Sequence, residues 1–139
     1  MRSNILIVLL LFSLSAFGQA NWDKLTVVGN SIGTQVLAKN QVSSIFKGNR
    51  SRWSNDEDVI LVMPSSKHPG AEVMAATIYG RDMNYVKKYW LNLVFQGRSN
   101  APLFFDTNEE ILNYVKKHPG AIGILINASE TTTLNIKVT

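Results

Sequence analysis

No cysteine occurs anywhere in the 139 residues. That absence removes disulfides, thiol chemistry and Cys-based metal sites together. Histidine is almost as scarce, with only His68 and His118. Two histidines and scattered carboxylates make no metal-ligand set of recognisable spacing. Neither a metal nor a cofactor is expected. No Gly-x-Ser-x-Gly elbow is present, so His68 reads as a surface-loop neighbour of Ser65 and Ser66 rather than as a catalytic base. The chain is therefore not expected to be an enzyme. Charge of either sign is also thin: 14 Lys and Arg stand against 10 Asp and Glu, a formal net of +4. The cations are dispersed and form no dense stripe, which argues against nucleic acid as a partner. The acidic run Asp56-Glu57-Asp58 reads as a solvated loop.

Only one long apolar run exists. Arg2 precedes ILIVLLLFSL, and the small-residue stretch SAFGQA follows it. This three-part pattern predicts a secretory signal peptide over residues 1–20, since the run is too short to span a bilayer. Cleavage before Gln19 and before Asn21 both fit, and a retained N-terminal anchor is the competing reading. With no Cys after the run, a lipoprotein anchor is excluded. Removing Arg2 with the leader lowers the formal charge from +4 to +3. Residues 21–139 are expected to form a single exported domain, stabilised by its core and periplasmic in a Gram-negative cell, with no membrane span after cleavage.

What is present alternates between β-branched runs and helical spacing. Leu25–Val28, Val59–Met63, Leu103–Phe105 and Ala121–Ile126 read as strands, and Leu134–Val138 alternates as an edge strand would. Helices are predicted at about 38–46, at Ala71–Tyr79, from about Asp82 to Gly97, and from Thr107 to Lys117. Thr107 with Glu110 predicts a capping box. Strands alternating with helices imply an α/β fold with a central, parallel or mixed sheet flanked by helices. Trp53 and Trp90 are expected in the core.

The five letters KHPGA occur twice, at Lys67–Ala71 and at Lys117–Ala121. The first copy follows a strand and precedes a helix; the second does the reverse. In the second, the lysines and His118 suit a helix C-terminus, Pro119 stops the helix and Gly120 turns the chain. The first copy belongs to a strand-to-helix turn. There Ser65, Ser66, Lys67, His68, Gly70 and Ala71 are candidates to hold an anion, through free N–H groups, hydroxyls and one cation. An N-cap serine followed by a helix-starting proline explains the same letters. Arg50 and Arg52, flanking Trp53, are secondary anion or partner candidates; a solvated loop explains them equally.

Several stretches taken in order carry a resemblance. They are Gln41–Gly48 (QVSSIFKG), Trp53, Tyr89-Trp90 with Phe95-Gln96-Gly97, and His118–Gly123 (HPGAIG). Their order and spacing, from about Thr26 to Ile126, resemble the phosphate-binding substrate-binding proteins of ABC transporters, which have the type II periplasmic-binding-protein fold. The resemblance implies a single lobe, similar to the second, inserted lobe of that family with a remnant of the hinge strands. It implies phosphate or another oxyanion as ligand. The family's phosphate-binding Arg falls at Pro64, however, and its Ser-Gly-Thr turn falls near His68-Pro69-Gly70. Ser65, Ser66 and Lys67 are the available substitutes. A lone lobe leaves an anion half hydrated, so weak binding or none is expected unless a second chain, such as a homodimer partner, closes the cleft. The alternative is a ligand-free interaction protein that binds an envelope sensor or transporter.

Overall fold

The computed structural model describes residues 20–129 and 132–139. The expected leader lies outside them except for Ala20. A short 3-10 turn, Trp22–Lys24, leads into β1 (Leu25–Gly29). There follow β2 (Val36–Leu37), α1 (Lys39–Phe46), β3 (Ile60–Pro64), and α2 (Ala71–Met74), which runs directly into a π-helical segment, Ala75–Tyr79. Then come α3 (Met83–Phe95), β4 (Leu103–Phe105), α4 (Asn108–Lys117), β5 (Ala121–Ile126) and β6 (Asn135–Val138).

The strands form one six-stranded mixed sheet in the order β2-β6-β1-β5-β3-β4. β3 runs parallel to both β4 and β5. β1 runs antiparallel to both β5 and β6, and β2 runs parallel to β6. The α/β architecture with flanking helices is as expected. One expectation needs correction, and one strand was not foreseen. β6 is an interior strand, because β2 pairs along its far side. β2 itself was not anticipated: two residues carry no periodicity that a sequence can show.

Side-chain alternation along the central strands divides the core between two faces. Leu61 and Met63 of β3 pack with Ile122, Ile124 and Ile126 of β5 in the larger cluster, which includes residues of α1, α2 and α3. Val62 and Leu125 lie in the smaller cluster with Ile111 and Val115 of α4. α4 sits close to the sheet because Gly123 lies beneath it: a Cβ there would come within 2.9 Å of Ile111 and 3.0 Å of Val115. Trp53 and Trp90 are both buried, as expected.

Side chains cap the amino ends of α3 and α4. Thr107 Oγ1 accepts from the Glu110 N–H at 3.2 Å, as a cap should. The Glu110 carboxylate takes the Thr107 hydroxyl at 3.0 Å. Asp82 caps α3 by accepting from the Tyr85 N–H at 2.9 Å. A polar knot holds α1, the π segment and α3 together. The buried Tyr79 hydroxyl donates to the Phe46 carbonyl at 2.6 Å and accepts from Trp90 Nε1–H at 2.9 Å. Burial pushes the Tyr79 phenol far above its ordinary range. Tyr89 reaches the same helix end, donating to the Lys47 carbonyl at 2.6 Å, and burial raises its phenol as well.

Candidate functional site

β5, β3 and β4 are adjacent and parallel, so their carboxyl ends open on one edge of the sheet. The loops leaving that edge are where ligands bind in open α/β sheets. Three segments meet there: Ser65–Gly70 after β3, Asp106-Thr107 after β4, and Asn127 after β5. The Ser65 N–H donates to the Phe105 carbonyl at 2.9 Å, which extends the ladder one residue past β3. The Ser65 hydroxyl then donates to the Asp106 carboxylate.

Much of the turn's hydrogen-bonding capacity is spent internally. The Lys67 N–H donates to Ser65 Oγ at 3.2 Å. The His68 N–H donates to the Ser65 carbonyl at 2.9 Å, and the Ala71 N–H to the His68 carbonyl at 3.0 Å. The Gly70 N–H donates to His68 Nδ1 at 2.9 Å. Because Nδ1 accepts that bond, the ring's proton belongs on Nε2, which faces Asn108 Oδ1 at 2.9 Å. The Asn108 amide is oriented in turn by Ile126. Its Nδ2 donates to the Ile126 carbonyl at 2.7 Å, and its Oδ1 accepts the Ile126 N–H at 3.0 Å.

His68 is thus 7% exposed and not the surface-loop residue expected. It ties the turn to the start of α4 and to the end of β5. Gly70 and Ala71 are buried beside it, whereas Ser66 and Lys67 are exposed and Ser65 is half-buried. Gly70 presses against Ile126, and a Cβ there would collide with that side chain. Ser65, Ser66 and Lys67 therefore present the turn's polar groups to solvent, and His68, Gly70 and Ala71 anchor it from behind. Asn108 and Asp106 were missed by sequence reasoning. Their signal was the polar triplet Asp106-Thr107-Asn108 directly after a strand, the same arrangement that singled out Ser65–Lys67.

Arg50 and Arg52 lie elsewhere. They line a groove with Val59 and Ile60, at the amino end of β3, the opposite end from Ser65. Arg52 pairs with Asp56 at 3.1 Å and with Asp58 at 3.7 Å, so part of the acidic run is held by this arginine. The Arg50 guanidinium sits 5.1 Å from the centre of the Trp53 ring, a cation–π contact worth about 0.5–1 kcal/mol at an exposed site.

The second KHPGA copy is structural, as expected. His118 stacks on Tyr114, and its Nδ1 lies 2.8 Å from the Tyr114 carbonyl, so here Nδ1 donates. Gly120 has φ +88° and abuts the Asp58 carbonyl, where a Cβ cannot fit. Its own carbonyl accepts from Trp53 Nε1–H at 2.8 Å and from the Ile60 N–H at 3.1 Å. The same five letters thus give two histidines opposite roles at Nδ1.

No protein-family profile matches the chain, and no curated protein is detectably similar to it in sequence. Solved structures do match. Over 83% of its length the chain superposes on an ABC-type phosphate transport receptor from Vibrio cholerae, with a TM-score of 0.58 and 16% identity. Over 84% it superposes on a chain from Clostridium perfringens, assigned as a phosphate ABC transporter substrate-binding protein and carrying bound phosphate, with a TM-score of 0.56 and 15% identity. The fold is that of part of a phosphate ABC transporter substrate-binding protein. The chain spans under half the length of these two, 46% of the first and 44% of the second. At this identity the likeness is one of fold. In that fold the present chain's β3 ends on Pro64, buried and paired with Phe105, at the position where the sequence resemblance places an arginine.

Among the described residues no group of side chains is placed to hold a metal, and no helix is long and apolar enough to cross a membrane.

Proposed function

We propose that this chain is an exported oxyanion-binding protein that takes phosphate or a related anion at the Ser65–Ala71 turn, in connection with an ABC transport system. The observation that carries the reading is the placement of that turn. It lies at the carboxyl edge of three parallel strands, in a fold shared with a chain that carries bound phosphate. Ser66 and Lys67 supply a hydroxyl and an ammonium at the exposed tip, with the Ser65 hydroxyl just behind. His68, Gly70 and Ala71 hold the backbone in place. The Asp106 carboxylate, engaged by Ser65, repels a fully ionised anion and favours one that keeps a proton to donate. Affinity is low for a single lobe, because one side of the anion stays in water. A second copy of the chain could close that side.

The test is thermal unfolding with millimolar phosphate against chloride at matched ionic strength. Saturation at 100 times the dissociation constant stabilises by about 2.7 kcal/mol, a shift of roughly a few degrees for a domain of this size. The double variant Ser66→Ala, Lys67→Ala should abolish the shift while leaving the unfolding temperature in chloride close to wild type. A phosphate shift that survives the double variant places the site elsewhere.

A second reading has its own supporting observation. Five N–H groups of the turn, those of Ser65, Lys67, His68, Gly70 and Ala71, already donate within the protein. Such a turn suits a lobe that has lost its ligand and binds an envelope sensor or transporter protein through its surface. Absence of any phosphate-specific shift favours this reading.

A further inference from the structure

α3 carries an apolar patch on its outer side. Phe95 is 82% exposed, Leu91 57% and Val94 41%. The spacing of three and four residues places them together on one helix face. In a chain whose other large apolar side chains are mostly buried, this cluster needs a partner. Along α3 and the segment that follows it, the charge is of one sign. From Met83 to Phe105 the sequence contains Lys87, Lys88 and Arg98 and no acidic residue. Among the described residues, no ion pair engages Lys87, Lys88, Arg98 or Arg50. The groove beside Val94 is lined by Arg98 and Arg50, and by Arg52 with its partner Asp58. A protruding aromatic and two aliphatic side chains, flanked by the unpaired cations Lys87, Lys88, Arg98 and Arg50, make an amphipathic surface with a net basic margin.

A second copy of this chain is a poor occupant, since joining two such faces brings like charges together. The surface calls for an anionic partner that also offers an apolar phase. We propose that the C-terminal half of α3, with the adjoining arginine groove, docks on an anionic phospholipid surface. Phe95, Leu91 and Val94 enter the boundary between headgroups and acyl chains, while Lys87, Lys88, Arg98 and Arg50 meet the phosphates. This site lies at the opposite end of β3 from Ser65 and does not depend on oxyanion binding at the turn.

The absence of cysteine allows a site-specific readout in the full chain. Asn92→Cys places an environment-sensitive fluorophore next to Leu91 on the exposed side of α3. Asn113→Cys places one on exposed α4, across the sheet, as a control for contact made by any other part of the chain. With vesicles containing phosphatidylglycerol, the label at 92 is expected to shift to the blue and the label at 113 to stay unchanged. Adding Phe95→Ser should suppress the shift, and Lys87→Gln with Lys88→Gln should weaken vesicle partitioning by roughly thirtyfold at low salt. Millimolar phosphate should not displace the protein. The proposal is overturned by no shift at position 92, by equal shifts at 92 and 113, or by an equal response to purely phosphatidylcholine vesicles. The first of these would point to an acidic protein as the partner of α3.

Discussion

The side chain of Asn108 pairs with both backbone polar groups of Ile126, one amide against one residue, at 2.7 and 3.0 Å. It extends the sheet's hydrogen bonding beyond β5 from a helix that packs on one face, and it fixes the acceptor that His68 uses. Asn108→Ala would leave the Ile126 N–H and carbonyl and the His68 Nε2–H to find water. Because the site is only half-buried, the expected cost is about 1–3 kcal/mol, read as a lower urea midpoint with unchanged slope. Asn108→Asp keeps the acceptor and loses the donor, so it should fall between wild type and the alanine variant. A neutral Asn108→Ala would show that the pairing contributes nothing.

Tyr79 offers a separate test in the core. Tyr79→Phe removes one hydroxyl and strands two buried partners, the Phe46 carbonyl and the Trp90 indole N–H. A loss of about 1–3 kcal/mol is expected. Because burial raises the phenol, the folded state holds its proton more tightly than the unfolded chain does. That contribution is complete below about pH 10 and is lost as pH rises further. The stability of the wild type should therefore decline above about pH 10, and the phenylalanine variant should decline less steeply.

Trp53→Phe is expected to be milder at its polar end. Its indole N–H donates to Gly120, but that carbonyl keeps the Ile60 N–H as a donor. The lost hydrogen bond should cost about 0.5–1.5 kcal/mol, in addition to the packing lost with the smaller ring. Calorimetry of the two aromatic variants side by side checks the ranking.

Three glycines should separate backbone strain from crowding when each is changed to alanine. At Gly97, φ is +65° and nothing lies within 4 Å of the added Cβ, so the cost is the left-handed backbone alone, about 1–2 kcal/mol. At Gly70 the backbone is unstrained, but Ile126 blocks the Cβ. Gly120 combines φ +88° with the Asp58 carbonyl in the way and should be the worst of the three, above about 3 kcal/mol. Unfolding midpoints in the order Gly97, Gly70, Gly120 are expected; an inverted order would refute the attribution.

Legibility in the sequence followed the range of the interactions. The strands Leu103–Phe105 and Ala121–Ile126 were readable to the residue, because continuous apolar runs bounded by turn residues are local signals. Thr107 was readable as a cap for the same reason. The π-helical form of Ala75–Tyr79 was not, since nothing in AATIY distinguishes it from an α-turn. Leu134–Val138 looked like an edge because Asn135 and Lys137 alternate with apolar residues, yet its neighbour is supplied by Val36-Leu37, a hundred residues earlier in the chain. The position of the Ser65 turn was legible. The burial of His68 was not, because it depends on Asn108, forty residues later in the chain, and on Ile126 packed against Gly70.

The pairing of β1 also constrains how the molecule comes into being. Val27 lies between Ile124 and Ile136, its partners on either side, both about a hundred residues downstream. A central strand made first must wait unpaired, with both edges open, until nearly the whole polypeptide exists. Such long-range topology folds slowly, and a chain interrupted before Ala121 would present bare strand edges to its neighbours, so early termination should yield aggregates and not a smaller domain.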